Sequence, residues 1–168
     1  MAARNPNVLG EFYTGEVQQL SGLSKHMVDY LCRHGLLTVS GPRDRGYGRR
    51  RRFSFADILL ARSIKELLDA GVSVLSMRAA LIELRRQLHS DPPAVLRDRR
   101  IVISGGIPYL SRPDEPPSDL LARGQMAFSF VLEIENLWSK AGPIHADRKA
   151  KERERLERAL KTRKERIA

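Results

Sequence analysis

One cysteine, one tryptophan and an aromatic content of 6% in 168 residues narrow the chemistry available to this chain. Cys32 alone cannot form an internal disulfide or supply a cysteine-cluster metal site within one chain. His26, His34, His89 and His145 have no metal-ligand spacing, so no metal and no cofactor are expected. No apolar run approaches the roughly 20 residues that span a bilayer, so a membrane protein is not expected. The opening Met-Ala-Ala-Arg-Asn-Pro lacks the apolar core of a secretion signal. A reducing cytoplasm is the expected compartment. No nucleophile–base pairing, paired-acid signature or phosphate loop is legible, so no enzymatic activity is expected.

Positive charge is in excess. The net charge is +10, and the sequence pI is about 10.3. Such a balance favours polyanion partners, nucleic acid first and anionic membrane second. The excess is unevenly placed: +6 over residues 1–90, −1 over 91–145 and +5 over 146–168. The densest part is residues 41–53, with six arginines, three glycines and one acid between two segments of helical pattern. A glycine-bent arginine loop held by packed helices suits a phosphate backbone; a bare arginine run would be a disordered basic arm.

Its flanks separate these readings. Residues 1–12 have little periodicity and read as a loose arm. Thr14 is expected to cap a short helix with Val17 and Leu20 on its buried side, stopped by Ser21-Gly22. Ser24 is expected to cap a second helix carrying Met27, Val28, Leu31 and Cys32, closed by Gly35, after which Leu36-Leu37 return to the core. Two short helices joined by about four residues with a glycine form a helix-turn-helix candidate. Beyond the arginine loop, Ser54-Phe55-Ala56-Asp57 reads as a capping box for a third helix that runs to Gly71. Ser73 is expected to start a fourth helix, with Val74, Met77, Leu81, Leu84 and Leu88 on one face. His89-Ser90-Asp91-Pro92-Pro93 breaks it.

The period then changes. Ile101-Val102-Ile103 and Ile107-Pro108-Tyr109-Leu110 flank Gly105-Gly106 as a hairpin in which Pro108 needs an edge position. Residues 112–118 form a proline-rich loop, and Asp119-Leu120-Leu121 a helical turn. Met126, Phe128, Phe130 and Leu132 alternate as a strand. Ile134, Leu137 and Trp138 begin a helix, and Gly142-Pro143 separates a charged, helix-prone tail. The expected organisation is an arm (1–12), a DNA-binding domain (13–90), a small α+β effector or dimerisation domain (91–142) and a basic helical or disordered tail (143–168). The fold class is mainly α with a small α+β C-terminal part.

The head resembles the MerR-type winged helix-turn-helix. The matching residues are Tyr13-Thr14, Ser21-Gly22-Leu23-Ser24, Tyr30 with Gly35-Leu36-Leu37, Phe53-Ser54-Phe55-Ala56-Asp57-Ile58 and Leu68-Asp69-Ala70-Gly71-Val72-Ser73. Many such proteins carry Arg-Tyr-Tyr in the recognition helix, where this chain has Asp29-Tyr30-Leu31. A subgroup carries Asp-Tyr-Trp there, a Gly/Ser-rich wing, and a C-terminal segment like Asp-Leu-Leu-Gln-Gly-Gly-Gln. This chain has Asp119-Leu120-Leu121-Ala122-Arg123-Gly124-Gln125, so the resemblance covers roughly residues 12–139. It implies a nucleoid-associated, dimeric transcription regulator that binds an inverted repeat in promoter DNA, with RNA polymerase as a candidate further partner. An architectural DNA-bending protein, such as an excision factor, is the alternative use of the same head. Metal-sensing relatives place cysteines beyond the fourth helix, and this chain has none there.

On this reading Thr14, Ser24, Lys25, His26, Asp29, Tyr30 and Arg33 face DNA from the two short helices. Lys25 suits phosphate or guanine acceptors. Asp29 reads either as an acceptor for a cytosine amine or as the partner of a nearby arginine. The second is favoured, because an acid beside phosphate is costly. Tyr30 suits either a phosphate or packing beneath the wing. In the wing, Arg43, Arg45, Arg49, Arg50, Arg51 and Arg52 suit phosphate or a narrow minor groove, with Tyr47 at the tip. Alternation would turn some of them back toward the helices, and Arg51 could then be structural. Cys32 reads as a small core residue. Tyr109, Phe128, Phe130 and Trp138 read as a small core in preference to a pocket, so a small-molecule ligand is not expected.

Overall fold

Phe12 and Phe53 lie 41 positions apart and face each other as partners in a two-stranded antiparallel ribbon. Its strands are β1 (Phe12–Tyr13) and β2 (Arg52–Phe53), and both phenylalanine rings are fully buried. The structure is a computed structural model that describes residues 11–39, 50–104, 107–112, 114 and 129–167. Phe12, expected within a loose arm, is instead a strand residue, and residues 1–10 of that arm lie outside the described residues. A two-residue strand shows no periodicity, and only its distant partner makes it one.

β1 leads into helix α1 (Thr14–Ser21) and then α2 (Lys25–Arg33). Thr14 is the first helical residue of α1 and Tyr13 is the cap, a shift of one from the expectation. Glu16 explains the shift: its carboxylate reaches back to accept from the Tyr13 backbone N–H at 2.7 Å. The turn between the helices rests on Ser21 and Gly22. Buried Ser21 donates to the Val17 carbonyl at 2.6 Å and accepts from the Leu23 N–H at 3.2 Å. Gly22 adopts φ 80°, left-handed backbone that a side chain would disfavour.

After the ribbon comes α3 (Phe55–Asp69), the central helix, buried at Phe55, Ile58, Leu59, Leu60, Ile64 and Leu67. The expected capping box is present. Ser54 Oγ accepts from the Asp57 N–H at 3.2 Å, and Asp57 Oδ2 accepts from the Ser54 N–H at 2.9 Å. Helix α4 (Arg78–Ser90) begins five residues later than Ser73. Residues 74–77 form turns instead, in which Ser76 Oγ donates to the Ser73 carbonyl at 2.7 Å. Met77, Leu81, Leu84 and Leu88 are buried as the spacing predicts. The proline break holds, and Pro93, at the first helical position, where its missing N–H costs nothing, then starts a short helix, α5 (Pro93–Arg97), that is not among the expected elements.

Three antiparallel strands follow, β3 (Arg100–Ser104), β4 (Ile107–Ser111) and β5 (Ser129–Glu133), in the order β4-β3-β5. Pro108 is thus on an edge strand, as its missing N–H requires. Residues 115–128, with the expected helical turn at Asp119 and the start of the alternating strand, lie outside the described residues.

The last element is α6 (Ile134–Ile167), which passes through Gly142 and Pro143 without ending. The expected separation of the tail at that pair is therefore not a break in the helix. Pro143 forfeits a backbone donor at a cost of about 3 kcal/mol in a helix interior. Burial of Ile134, Leu137 and Ala141 around it offsets this cost. Trp138 packs edge-on against Phe55, ring centroids 5.1 Å apart; Phe128 and the Tyr109 and Phe130 side chains of the expected ring core lie outside the described residues. Buried residues from β1 to α6 form one hydrophobic cluster.

Candidate nucleic-acid interface

Helix α2 divides its surface by period. Val28 and Leu31 are buried, and Met27 and Cys32 pack against the core. Ser24, Lys25, His26 and Arg33 are exposed, while Asp29 and Tyr30 are half-buried. Positions 25, 29 and 33 follow an i, i+4, i+8 stripe, so Lys25, Asp29 and Arg33 share one outward face. Ser24 caps the helix by accepting from the Met27 N–H at 3.2 Å. The Tyr30 ring packs against the His34 ring at a tilt of 44°, centroids 4.2 Å apart, and also packs against the core.

The other end of α2 is held from outside. Arg78 donates to the His34 carbonyl at 3.1 Å and Arg85 donates to the Gly35 carbonyl. Two α4 guanidiniums thus satisfy carbonyls at the negative end of the helix. Sequence reasoning missed both: on an amphipathic helix they look like solvated charges, and nothing in the spacing names their acceptors.

The arginine segment approaches from the second side. Arg43, Arg45, Tyr47 and Arg49 lie outside the described residues. Arg51 donates to the Asp29 carboxylate, with each side chain about one third exposed. Arg52 pairs with Glu11 at 2.8 Å. Arg50 is exposed and stands over the Tyr13 ring, 5.6 Å from its centroid. The three adjacent arginines are therefore used differently: Arg51 and Arg52 hold carboxylates, and Arg50 lies on an aromatic face. Thr14, half-buried, is beside them at the start of α1. Of the alternatives for Asp29, the arginine-partner arrangement is the one present.

Behind the interface, buried Asp57 ties three elements together. Its Oδ1 accepts from the Thr38 N–H at 3.2 Å, on the stretch that leaves α2, while Oδ2 serves Ser54 at the entry to α3. His89 of α4 lies 3.6 Å from Oδ1 and presents its other ring nitrogen to the Arg85 carbonyl at 2.9 Å. Burial alone would push the Asp57 carboxyl up; the His89 imidazole beside it and hydrogen bonds from Ser54 and Thr38 outweigh this and hold it below the usual carboxylate range. The same contact to Asp57 raises His89, against the opposing effect of burial.

α6 docks against the start of α1. Arg148 pairs with Glu16 at 2.8 Å, both largely buried, and its guanidinium stacks 4.7 Å from the Tyr13 centroid. Sequence reasoning missed this pair as well, because 132 residues separate its members. Among the described residues, no three His, Cys, Asp or Glu side chains are grouped to hold a metal ion, and no helix is long and apolar enough to cross a membrane.

Residues 12–81 match the MerR HTH family regulatory protein family. Uncharacterized HTH-type transcriptional regulators of Mycobacterium bovis and Mycobacterium tuberculosis are 30% identical over 132 residues, covering 77% of this chain. The chain spans only 57% of the length of these relatives. The family match begins at Phe12 of β1 and ends at Leu81 in α4, so it takes in α2, the Arg78 support and the arginine segment. Residues 12–81 of this chain are a MerR-family helix-turn-helix domain.

Proposed function

We propose that the chain is a sequence-specific DNA-binding transcription regulator that acts as a homodimer on an inverted repeat in promoter DNA. The observation that carries this reading is the outward stripe Lys25, Asp29 and Arg33 on a capped helix braced at both sides, by Arg51 and by the α4 arginines. Polar side chains on such a helix read base edges in the major groove, while flanking arginines position the duplex through its phosphates. The relatives' description as transcriptional regulators supports the regulatory role.

Exposed Leu75, Ile82 and Val95, on and beside α4, support a dimer surface formed by α4 with residues 91–142. The Asp29-Tyr30 pair and the segment at residues 119–125 support membership of the subgroup with a small C-terminal domain; that segment lies outside the described residues. RNA polymerase at the promoter is the further partner of this reading.

Genome-wide mapping of bound sites followed by footprinting tests the proposal. A protected motif with dyad symmetry near promoters is expected. Footprints without symmetry, or equal binding to random duplex, would reject it.

A further inference from the structure

A cleft of about 580 Å³ lies between the start of α1 and the middle of α6, and the recognition-helix reading leaves it without a role. Its walls carry Arg50, Arg51, Arg148, Lys151 and Arg155. Two carboxylates, Glu16 and Glu152, also line it, so five cations face two anions, a surplus of three. Glu16 is already taken up by the Tyr13 N–H and Arg148. Glu152 lies 3.9 Å from Arg148 and accepts from the Tyr13 hydroxyl at 3.4 Å. Lys151 contacts Asp147 only at the surface, where both are well exposed. No carboxylate partner for Arg50 or Arg155 occurs among the described residues, and both are exposed.

The cleft is continuous with the interface, because Arg51 lines it and also donates to Asp29 on α2. Positions 148, 151 and 155 follow i, i+3, i+7 spacing, so their cations line one face of α6 over about 10 Å. A duplex presents one phosphate charge per ~1.7 Å of axis, so a face of this length suits a run of phosphates better than one small anion.

We propose that this cleft seats DNA-backbone phosphates beside the stretch that α2 reads, making α6 a second phosphate-gripping element. The proposal rests on the DNA-binding reading above. The test uses the full chain and a random-sequence duplex, with affinity measured across a series of KCl concentrations. Lys151→Ala with Arg155→Ala should lower the slope of log affinity against log salt by about 1.8 for each bound protomer, at ~0.9 for each phosphate no longer neutralised. Arg153→Ala with Lys161→Ala removes the same charge from outside the cleft and should leave the slope unchanged. An unchanged slope in the first variant, or equal falls in both, would overturn the cleft while leaving the DNA-binding reading intact. Failure of the unmodified chain to bind duplex at low salt would instead remove the reading on which the cleft depends.

Discussion

Arg51 and Asp29, 22 positions apart, are joined so that the arginine segment is tied to α2 by a guanidinium–carboxylate pair. The pair neutralises the Asp29 carboxylate and holds Arg51 against α2. Both side chains are about one third exposed, so its worth to the fold alone is small, about 0.2–1 kcal/mol. On the proposed DNA-binding reading its larger consequence is at the DNA surface. Arg51→Ala should weaken duplex binding on the order of tenfold, about 1.4 kcal/mol, because it removes a cation and uncovers Asp29. Adding Asp29→Ala should recover part of that loss. A double-mutant cycle of DNA affinity checks this, and additive losses would exclude the coupling.

Lys25 and Arg50 should separate by selectivity. Lys25→Ala should act mainly on cognate DNA, since its side chain is exposed on the face of α2. Arg50→Ala should weaken all duplexes alike and reduce the salt slope by about 0.9 for each bound protomer. Paired titrations on cognate and random DNA measure both, and equal selectivity loss from the two variants would contradict this division.

The Asp57 junction sets a stability test. Ser54→Ala removes the hydroxyl that accepts from the Asp57 N–H and donates to its carboxylate, and should cost about 1–2 kcal/mol. Asp57→Ala should cost more, about 2–4 kcal/mol, because the Thr38 and Ser54 N–H groups lose their acceptor together. Urea denaturation gives both values. Equal losses would mean that the bond to Thr38 contributes nothing.

A pH dependence follows from the same junction. His89 is raised by Asp57, so its contribution is complete below the unfolded histidine value near 6.5 and fades as pH rises through the higher folded value. Asp57 is lowered, so its contribution is present above the ordinary carboxyl range and is lost as acid protonates it. His145 works in the opposite sense to His89: burial, then Arg148 and Lys149, lower it, so charging it in acid disfavours the fold. The stability difference between the native chain and His89→Gln cancels that background. It should be largest at about pH 5.5 and shrink toward about pH 8.5, as read by denaturation at each pH. A difference that stays constant would remove His89 from the junction.

Two truncations locate where α6 stops contributing to the core. Deleting residues 142–168 removes buried His145 and the Arg148–Glu16 pair, and should lower stability by about 1–3 kcal/mol. Deleting residues 157–168 should change it by less than about 0.5 kcal/mol, since the described side chains there are exposed. Equal effects from the two deletions would contradict the docking of α6 on α1.

Local chemistry made much of the head legible. Ser24 and Ser54 cap, Gly22 and Gly35 end helices, and the apolar spacing in α3 and α4 marks the faces that are buried. These signals act within about one helical turn, so sequence alone determined the helix-turn-helix, the outward stripe on α2 and the edge position of Pro108. Tertiary structure decided what no short-range signal encodes. Phe12 became a strand because Phe53 is opposite it, and α6 ran through Pro143 because burial of its first half offset the lost donor. Charge partners were the least legible of all. Arg51 with Asp29, Arg148 with Glu16 and Arg85 with the Gly35 carbonyl each join residues far apart in sequence. A long cationic side chain reads the same in sequence whether it ends in water, on phosphate or on a neighbouring acid, and only packing chooses among them.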